Sequence, residues 1–494
     1  MKKAALAIIS AMLIFSGAAA QNIDDALKYS QLFYNGTARF TGMGGAFTAL
    51  GGDLSTLGQN PAGLGVFRSS EITLSPQLFY INNRANFTET AGDYLYNFNL
   101  GQAGVVFNII NNNGQSGLLS LNAGYSFNKT NNLNQATRIT GNYGGSSMLD
   151  FWADRSYGLY TDELAAFVPD AFLAYDTWLI DTLPGYYTEY GTVFSNYGDN
   201  PPSVYGQNIR RLISQEGYTG EHAISIGGNY SDKIYFGATL GISTINFISR
   251  YEHQETSDFN LPSRFQDFNY TLYYDQNGTG YSLKMGAIVR PIDQLRIGVA
   301  FHSPTVYKID EYLYDNMTSS FTDGGKYQSS NEPSRYDYTL TTPFRFLAGV
   351  AYQYEKLAIL SVDYEFVDYR TSRFTKRDAD WVSNTNEAIK YSFKSASNIR
   401  LGGELRLSKF YLRGGYGYYG RPFASEEDNF ELDYRTISGG AGFREQTFAI
   451  DFGFSNMKSD EKYIMYTSSL GSPTADISSN RNIFTVSFSY KFGY

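Results

Sequence analysis

Charged side chains alternate with apolar ones in several stretches of this 494-residue chain. Arg345 lies between two phenylalanines, and Arg400 lies between an isoleucine and a leucine. A guanidinium group inside an enclosed space can pair with a carboxylate, which is costly to bury unpaired. Arg345 and Arg400 are therefore candidate partners for the carboxylate of a ligand. For any one such residue an internal ion pair is the commoner role, and the other candidate members of an internal network are Arg296, Asp363, Glu365, Glu404, Arg406, Arg413 and Asp451.

Residue types that carry catalysis or bind metals are scarce and scattered. The chain has no cysteine, and its three histidines, His222, His253 and His302, are far apart in sequence. No HExxH motif, nucleophile elbow or Walker-type loop is present, and the glycine-rich run at Gly42 lacks a βαβ context. The sequence therefore predicts no enzyme, no metal site and no cofactor. A net charge of -9 gives no reason to expect nucleic-acid binding.

The alternation predicts β-strands, because successive side chains of a strand point to opposite faces. In Phe484–Tyr494 every second residue is aromatic or valine, and Thr447–Phe454 follows the same rule. About fourteen such strands are predicted along the chain. Short links such as 231–233 separate them at alternate positions. The long links are predicted at 84–97, 132–220, 251–277, 303–336, 371–387, 420–433 and 459–482.

Composition favours a membrane barrel over a soluble one. Aromatic residues make up 17% of the chain, with 43 tyrosines, 36 phenylalanines and 49 glycines, while the mean hydropathy of -0.32 argues against a helical membrane protein. Short turns that alternate with long loops are typical of outer-membrane barrels. The predicted fold is all-β: a transmembrane up-and-down antiparallel β-barrel of about 14 strands, spanning residues 70–494, in a Gram-negative outer membrane.

The N-terminal sequence predicts that the protein is exported. Two lysines, a short apolar run and three alanines at 18–20 have the layout of a cleavable signal peptide at 1–20, with Gln21 as the first mature residue. Residues 21–69 follow, and their stretch from Arg39 to Gly65 is rich in glycine and contains Asn60-Pro61-Ala62-Gly63. Such a segment is expected to fold as an irregular, compact plug inside the barrel.

These residues carry a resemblance to a known family. The glycine run with Gly42, Gly44 and Gly45, followed by Asn60, Pro61, Ala62 and Gly63, resembles the N-terminal hatch of the FadL/TodX outer-membrane channels. The stretches 295–304, 357–369 and 398–417 are similar to strands of that family. The resemblance implies a fourteen-stranded monomer that carries long-chain fatty acids or other hydrophobic compounds. It also implies that these seven hatch residues form a gate. Outer-membrane lipids and the barrel-insertion machinery, which recognises a terminal aromatic residue such as Tyr494, are the further implied partners.

The largest predicted insertion, 132–220, contains an apolar set on an otherwise polar loop. The FadL resemblance implies a hydrophobic binding groove for substrate capture at the outer surface. An ordinary loop core that folds over the barrel mouth explains the same residues equally well. The candidate groove residues are Leu164, Phe167, Phe172, Leu173 and Trp178.

Release and alternative functions follow from the same resemblance. The family uses a kink in the barrel wall for lateral release, and Gly124, Gly237, Gly241 and Gly286 are candidate kink positions because glycine often marks a strand bulge. A protein-secretion shuttle is one alternative, for which the tyrosine-rich loop 311–336 is suited. A haemin-binding receptor is another, weakened by the scarcity of histidine.

Overall fold

The computed structural model describes residues 23–112, 114, 116–194, 205–257, 264–377, 379–424 and 433–493. The predicted signal peptide at 1–20, Gln21 and the terminal Tyr494 lie outside the described residues. No helix within these described ranges is both long and apolar enough to cross a membrane.

Long antiparallel strands make up most of the chain. In chain order they are β1 (Ser70–Asn86), β2 (Thr90–Asn111), β3 (Leu118–Asn132), β4 (Gln135–Tyr143), β5 (Ile180–Thr182), β6 (Tyr190–Thr192), β7 (Gln207–Tyr230), β8 (Ile234–Thr256), β9 (Phe265–Ile292), β10 (Leu295–His302), β11 (Val306–Phe321), β12 (Lys326–Ser330), β13 (Ser334–Thr341), β14 (Arg345–Tyr354), β15 (Ala358–Asp368), β16 (Arg373–Thr375), β17 (Ser395–Leu407), β18 (Phe410–Tyr419), β19 (Tyr434–Arg444), β20 (Phe448–Ile464) and β21 (Thr474–Phe492).

These strands form a closed barrel whose wall has fourteen strand positions, here called staves. Four staves are each built from two strands in line, namely β3 with β4, β10 with β11, β13 with β14, and β15 with β16. The first and last staves pair from Ser70↔Phe492 to Asn86↔Asp476, which closes the sheet. Closure is what a lipid environment demands, because an open edge would leave backbone groups unpaired. The predicted fold class is confirmed.

The alternating faces lie as the sequence predicts. On β21, Phe484 and Phe488 are about half exposed on the outer face, whereas Thr485 and Ser487 are buried in the lumen. The outward face is therefore apolar and the lumen polar, the arrangement that lets a barrel contact lipid.

The short connections that join β2 to β3, β7 to β8, β9 to β10, β14 to β15, β17 to β18 and β19 to β20 lie at one end, the periplasmic one by the usual pattern of these barrels. Several long links predicted at the other end are wrong in extent, because the strands continue far beyond the apolar band. Strand β9 alone has 28 residues, and β4 and the first half of β7 lie within the predicted insertion 132–220. Their outward side chains there are polar, so an apolar alternation could not reveal them.

The helices of the described chain lie at the two ends of this barrel or inside it. They are α1 (Ile23–Ser30), α2 (Ala38–Gly42), α3 (Met148–Ser156), α4 (Leu164–Phe167), α5 (Pro169–Asp176) and α6 (Asp380–Ser392), with short 3₁₀ turns at Leu54–Gly58, Pro61–Val66 and Tyr369–Thr371. Helices α3 to α5 and the hairpin of β5 and β6 form an outer lid, residues 144–194, with a core around the fully buried Trp152.

Buried carboxylates fix the lid on the extended strands. Asp150 caps its own helix by accepting from the backbone N–H of Ser147 at 2.8 Å, and Tyr205 donates to it at 2.6 Å. Glu255 of β8 accepts from the Ser147 hydroxyl at 2.6 Å and from the Met148 backbone N–H at 2.8 Å. Beyond Ile248 the outward side chains of β8 (Arg250, Glu252 and Gln254) are polar, so this contact lies outside the membrane.

The lid is expected to lose stability as the pH rises from about 4 to about 7. Burial raises the pKa of Asp150 to about 6 and that of Glu255 to about 7. A carboxyl group with a raised folded-state pKa holds its proton more tightly in the folded protein, so the stability gained by protonation is present in acid and lost as pH rises through that pKa. Hydrogen exchange of the α3 amides, corrected for intrinsic rates, measures this.

The free energy of opening of the lid should fall by about 1–3 kcal/mol as the pH rises from about 4 to about 7. In Asp150→Asn/Glu255→Gln the dependence should largely vanish. An opening free energy that rises with pH in the unaltered protein contradicts this account.

Candidate functional site

The N-terminal segment, residues 23–69, fills the middle of the barrel. Local capping gives it its shape: the Thr37 hydroxyl accepts from the Phe40 N–H at 3.1 Å at the start of α2, and Asp53 begins the first 3₁₀ turn. Asn60 begins the second turn by accepting from the Ala62 N–H at 3.1 Å, with Pro61 at the first helical position. The predicted irregular, compact conformation is what the structure has.

A chain of buried ions holds this segment to the wall. Arg39 donates to both carboxylate oxygens of Glu404, at 3.0 and 3.1 Å. Glu404 also pairs with Arg413 at 2.7 Å, Arg413 with Asp451 at 2.7 Å, and Asp451 with Arg444 at 3.1 Å. Since each internal charge has a partner of opposite sign, the network can exist in a lumen largely without bulk water.

Other lumen charges bind the backbone of the segment. Asp363 accepts from the Thr48 N–H at 2.9 Å and from its hydroxyl at 2.7 Å. Lys284 donates to Gly58 O at 2.7 Å, and Arg296 donates to Leu50 O at 2.6 Å. His302 lies 2.7 Å from Gln59 O. Of the predicted lumen charges, Arg296, Asp363 and Glu404 thus hold the plug directly, whereas Arg406 is exposed and makes no contact with the plug's described residues.

The Asn-Pro-Ala stretch lies against wall glycines. The Asn60 side-chain amide donates to Thr48 O at 2.6 Å, which ties together two turns of the segment. A Cβ on Gly286 would overlap the Asn60 carboxamide oxygen, and one on Gly237 would overlap Pro61 O. Ala62 and Gly63 are fully enclosed nearby. The wall therefore needs glycine wherever the segment approaches it most closely.

The same close contact involves the glycines of the segment itself. Gly44 and Gly45 have φ of +63° and +73°, which favours glycine, and a Cβ on Gly44 would lie 3.2 Å from Leu401 O. A Cβ on Gly42 would lie 3.3 Å from Gly439 O, and one on Gly63 would lie 2.6 Å from the Thr56 hydroxyl. These positions determine the packing of the segment, while a gating role for them stays a prediction.

The two arginines predicted to meet a ligand carboxylate are already paired. Arg345 and Arg400 both bind Glu365, the latter at 2.7 Å, and Arg345 also donates to Ser30 O. Tyr34 covers the Arg400 guanidinium at 4.6 Å. A ligand carboxylate at this point would have to replace Glu365.

An apolar space, here called the upper chamber, lies above the plug. Helix α1 and Phe33 occupy it: Phe33 packs edge-on against the rings of Tyr419 and Tyr434 at 5.2 and 4.8 Å. Its wall is formed chiefly by the buried side chains Ile245, Phe247, Ile309, Leu340, Val367, Phe374, Ile389, Phe393 and Met457. Sequence reasoning missed these residues, although each lies on the face opposite to the lipid-facing side chains of its strand or on a loop helix.

The wall is interrupted beside this chamber. Strand β2 pairs with β3 only between Gln102↔Asn128 and Asn111↔Ser120. In the described pairings, residues 90–100 of β2 have partners in β1 alone. Strand β3 shifts its register against β7 at Lys129. Further out, β2 again contacts the neighbouring strand, because Arg138 of β4 donates to Gly92 O of β2 at 3.0 Å. We call the resulting interruption the wall gap, bounded by 93–101 and 129–134.

The N-terminal segment lies directly behind the wall gap. The Phe33 N–H donates to Thr130 O at 3.0 Å, and the Gln77 amide of β1 donates to Gly36 O at 3.4 Å. Residues 33–36 therefore separate the lumen from the gap.

The kink was expected at a wall glycine, and that expectation is wrong. The register shift of β3 falls at Lys129, whereas Gly124, Gly237, Gly241 and Gly286 all lie within regularly paired strands. Gly124, like Gly237 and Gly286, faces the N-terminal segment, with Leu57 2.9 Å from an added Cβ. Close approach rather than a bulge explains these three glycines.

The outer-loop residues divide into two groups. Leu164 and Leu173 are fully buried in the lid core, and Phe172 packs against that core. Phe167 and Trp178 are exposed by 57% and 59%. The structure thus brings Leu164, Phe172 and Leu173 into the lid interior and leaves two large apolar side chains at the outer surface.

Comparison with known proteins agrees with this architecture. The model of the outer membrane protein transport protein family (OMPP1/FadL/TodX) matches residues 214–492. Among solved structures, the Pseudomonas putida toluene transporter TodX superposes with a TM-score of 0.55 at 13% identity, covering 94% of this chain and all of TodX. A Pseudomonas aeruginosa FadL homologue gives 0.53 at 13% identity, covering 94% of this chain and 100% of its own. A search of curated proteins found no match.

A closed fourteen-stranded barrel with an apolar outer face and a plugged lumen defines an outer-membrane channel. The chain belongs to the OMPP1/FadL/TodX family of outer-membrane transport proteins, as the resemblance of its N-terminal motif implied. It therefore resides in the outer membrane of the Gram-negative type. The family is one of transport proteins and not of enzymes.

Replacing Gly237 by alanine is expected to weaken the packing of the N-terminal segment against the barrel wall. The added methyl group would collide with the Pro61 backbone, and overpacking of this kind costs about 1–3 kcal/mol. The thermal unfolding midpoint, followed by circular dichroism, should fall. Gly414→Ala is the matched control, because an added Cβ there has no atom within 4 Å. Equal midpoints for the two variants would contradict the assignment.

Replacing Arg39 by alanine should loosen the plug. Glu404 keeps Arg413 but loses its bidentate partner, and removing one member of a buried ion pair typically costs about 3–5 kcal/mol before any remaining partner compensates. We expect a higher ion conductance in planar bilayers and faster chymotryptic cleavage of residues 23–69. Arg406→Ala, at an exposed position on β17, should behave as the unaltered protein. Unchanged conductance and cleavage in Arg39→Ala would show that the network does not hold the plug.

Proposed function

We propose that the protein transports hydrophobic compounds, with long-chain fatty acids as the leading class, by a passive route through the upper chamber. The observation that carries this proposal is the apolar lining of the space inside the barrel above the plug. A general diffusion pore would have a hydrated, polar lumen. An apolar chamber, in contrast, favours the hydrocarbon part of a ligand by about 25 cal/mol for each Å² removed from water.

Capture would begin at the outer surface. Phe167 and Trp178 present apolar area on the lid, and Tyr327 of β12 lies 6.1 Å from the Trp178 ring. Leu164, Phe172 and Leu173 support the lid that carries them. Solved structures similar to this chain include a toluene transporter and a monoaromatic hydrocarbon channel, and the cargo in both names is apolar.

In the chamber, a ligand would compete with the protein's own side chains. Leu27 and Phe33 of the N-terminal segment fill the position that a hydrocarbon chain would take. Displacing Phe33 frees the edges of Tyr419 and Tyr434 for a ligand and also breaks the hydrogen bond to Thr130 O. Ligand entry and uncovering of the wall gap are therefore coupled through one residue.

Release would follow through the wall gap toward the bilayer. The unpaired edge of β2 at 93–101 can persist at membrane depth only if it lines a cavity or is covered by protein. Residues 33–36 provide that cover in the closed state. Movement of this stretch, with the Gly42–Gly45 and Asn60–Gly63 regions as its anchors, is the proposed gate.

A removable tether tests the gate. Ser30 Oγ lies 3.2 Å from Ser372 Oγ of the wall, so a disulfide fits between Ser30→Cys and Ser372→Cys. The natural chain has no cysteine to interfere. In proteoliposomes, oxidation should reduce fatty-acid uptake at least about tenfold, which corresponds to 1.4 kcal/mol, and reduction should restore it.

The matched control is Thr73→Cys/Ser489→Cys, which joins two wall strands whose side chains lie 2.8 Å apart. Its uptake should not respond to oxidation. Unchanged uptake in the oxidised Ser30/Ser372 pair would refute the gate. Absence of fatty-acid uptake by the unaltered protein, with an exported protein bound to it instead, would favour the secretion-shuttle alternative.

A further inference from the structure

A second cavity, here called the lower vestibule, lies on the periplasmic side of the plug. It has a volume of about 210 Å³. Its wall side comes from Gln294 and Arg296 beside one periplasmic turn, and from Gln353 and Ile359 beside another. Its upper side is the N-terminal segment between Arg39 and Val66. The vestibule is therefore separated from the upper chamber by the whole plug.

The two cations of the lower vestibule differ in their pairing. Arg39 is bound bidentately by Glu404 and also donates to Gly52 O at 3.3 Å. Arg296 donates to Leu50 O alone and lies 5.9 Å from the Tyr235 ring. No described residue offers Arg296 a carboxylate, and none of the described lining residues is acidic. Its remaining N–H groups are available to the cavity.

This arrangement differs from that of three other lumen arginines. Arg345, Arg400 and Arg413 each have a carboxylate partner. An arginine has five N–H donors in a planar fork that matches a carboxylate. Arg296 is half-buried and donates to a single carbonyl, so its guanidinium group keeps further N–H donors for an anion.

The rest of the lining is suited to an amphiphile. Leu50, Val66, Ala351 and Ile359 supply apolar surface around the guanidinium group. Gln294 and Gln353 add neutral hydrogen-bonding groups at the rim. A small hydrophilic anion would gain nothing from the apolar part, whereas a carboxylate with a hydrocarbon chain would use both.

We propose that the lower vestibule is a binding site for the carboxylate of an amphipathic acid, with Arg296 as its anion-binding residue. This inference rests on the proposed function, because the ligand is of the same class as the cargo. It adds a second binding site for the cargo, on the periplasmic side of the plug. A neutral hydrocarbon would bind the upper chamber but not this site, so Arg296 discriminates between acids and neutral compounds.

Photolabelling of the full-length protein in detergent tests this proposal. The probes are a diazirine-bearing palmitic acid and the matching diazirine alcohol, and labelled peptides are mapped by mass spectrometry. The acid should label peptides containing residues 50–52 or 351–359. The alcohol should label them at least about tenfold less, since a charge-assisted hydrogen bond contributes more than the 1.4 kcal/mol that corresponds to tenfold.

Variants assign the effect to the guanidinium group. Arg296→Gln should lower vestibule labelling by the acid about tenfold, and Arg296→Lys should retain most of it. Gln353→Glu places a competing carboxylate in the cavity while leaving the bond from Arg296 to Leu50 in place, and should act like Arg296→Gln. Arg406→Gln removes a charge from the same end of the barrel outside the cavity and should have no effect.

The outcomes separate the two proposals. Labelling around Phe33 and Tyr434 by both probes, with none in the vestibule, overturns this inference and leaves the proposed function standing. Equal vestibule labelling of Arg296→Gln and the unaltered protein also overturns it. No labelling at either place refutes both. Vestibule labelling by the acid alone, lost in Arg296→Gln and Gln353→Glu, supports the site.

Discussion

The ion pair between Arg39 and Glu404 is the contact on which the interior of this barrel depends. Glu404 of β17 also pairs with Arg413 of β18, which in turn pairs with Asp451 of β20. A charge in a closed lumen has few sources of compensation other than another charge. The stagger of these strands and the height of the N-terminal segment are therefore determined together. Neither can shift without leaving a buried ion unpaired.

This constraint divides the lumen into two environments. Above the network the interior becomes apolar around Phe33 and the tyrosines that enclose it. Below it lies a cavity of mixed apolar and polar lining that faces the periplasmic turns. Because the Pro61 backbone of the plug lies against Gly237 and the Asn60 side chain lies against Gly286, no side passage remains between the two at these points. Passage from one to the other thus requires that part of the segment move.

The sequence predicts the wall far better than it predicts the pathway. A period of two is a local property, so β21 and its neighbours can be recognised one strand at a time. The Asn60-Pro61 turn is equally local. The upper extensions of β8 and β9 escape notice because their outward residues are polar once the apolar band ends.

The pairing of lumen side chains depends on the stagger between strands, which no single strand encodes. Thus Arg345 and Arg400 look like free cations in sequence, yet they share Glu365. Arg296 looks no different from them and has no acidic partner among the described residues. The wall gap escapes prediction for a related reason: it is defined by a missing neighbour of β2 and not by a type of residue. Gly237 and Gly286 resemble kink positions in sequence because the segment that packs against them is more than a hundred residues away.

The position of the plug also constrains the order of assembly. The Ala38 N–H donates to the hydroxyl of Ser487, a separation of 449 residues, and Ser487 belongs to the stave that seals against β1. Contacts of such sequence separation are slow to form, because a very long loop must close first. The N-terminal segment packs against wall glycines and is held by buried ion pairs, so it cannot be threaded through a finished barrel. The final seam must therefore close around a plug that is already in place, so that sealing of the lumen and completion of the fold are one event.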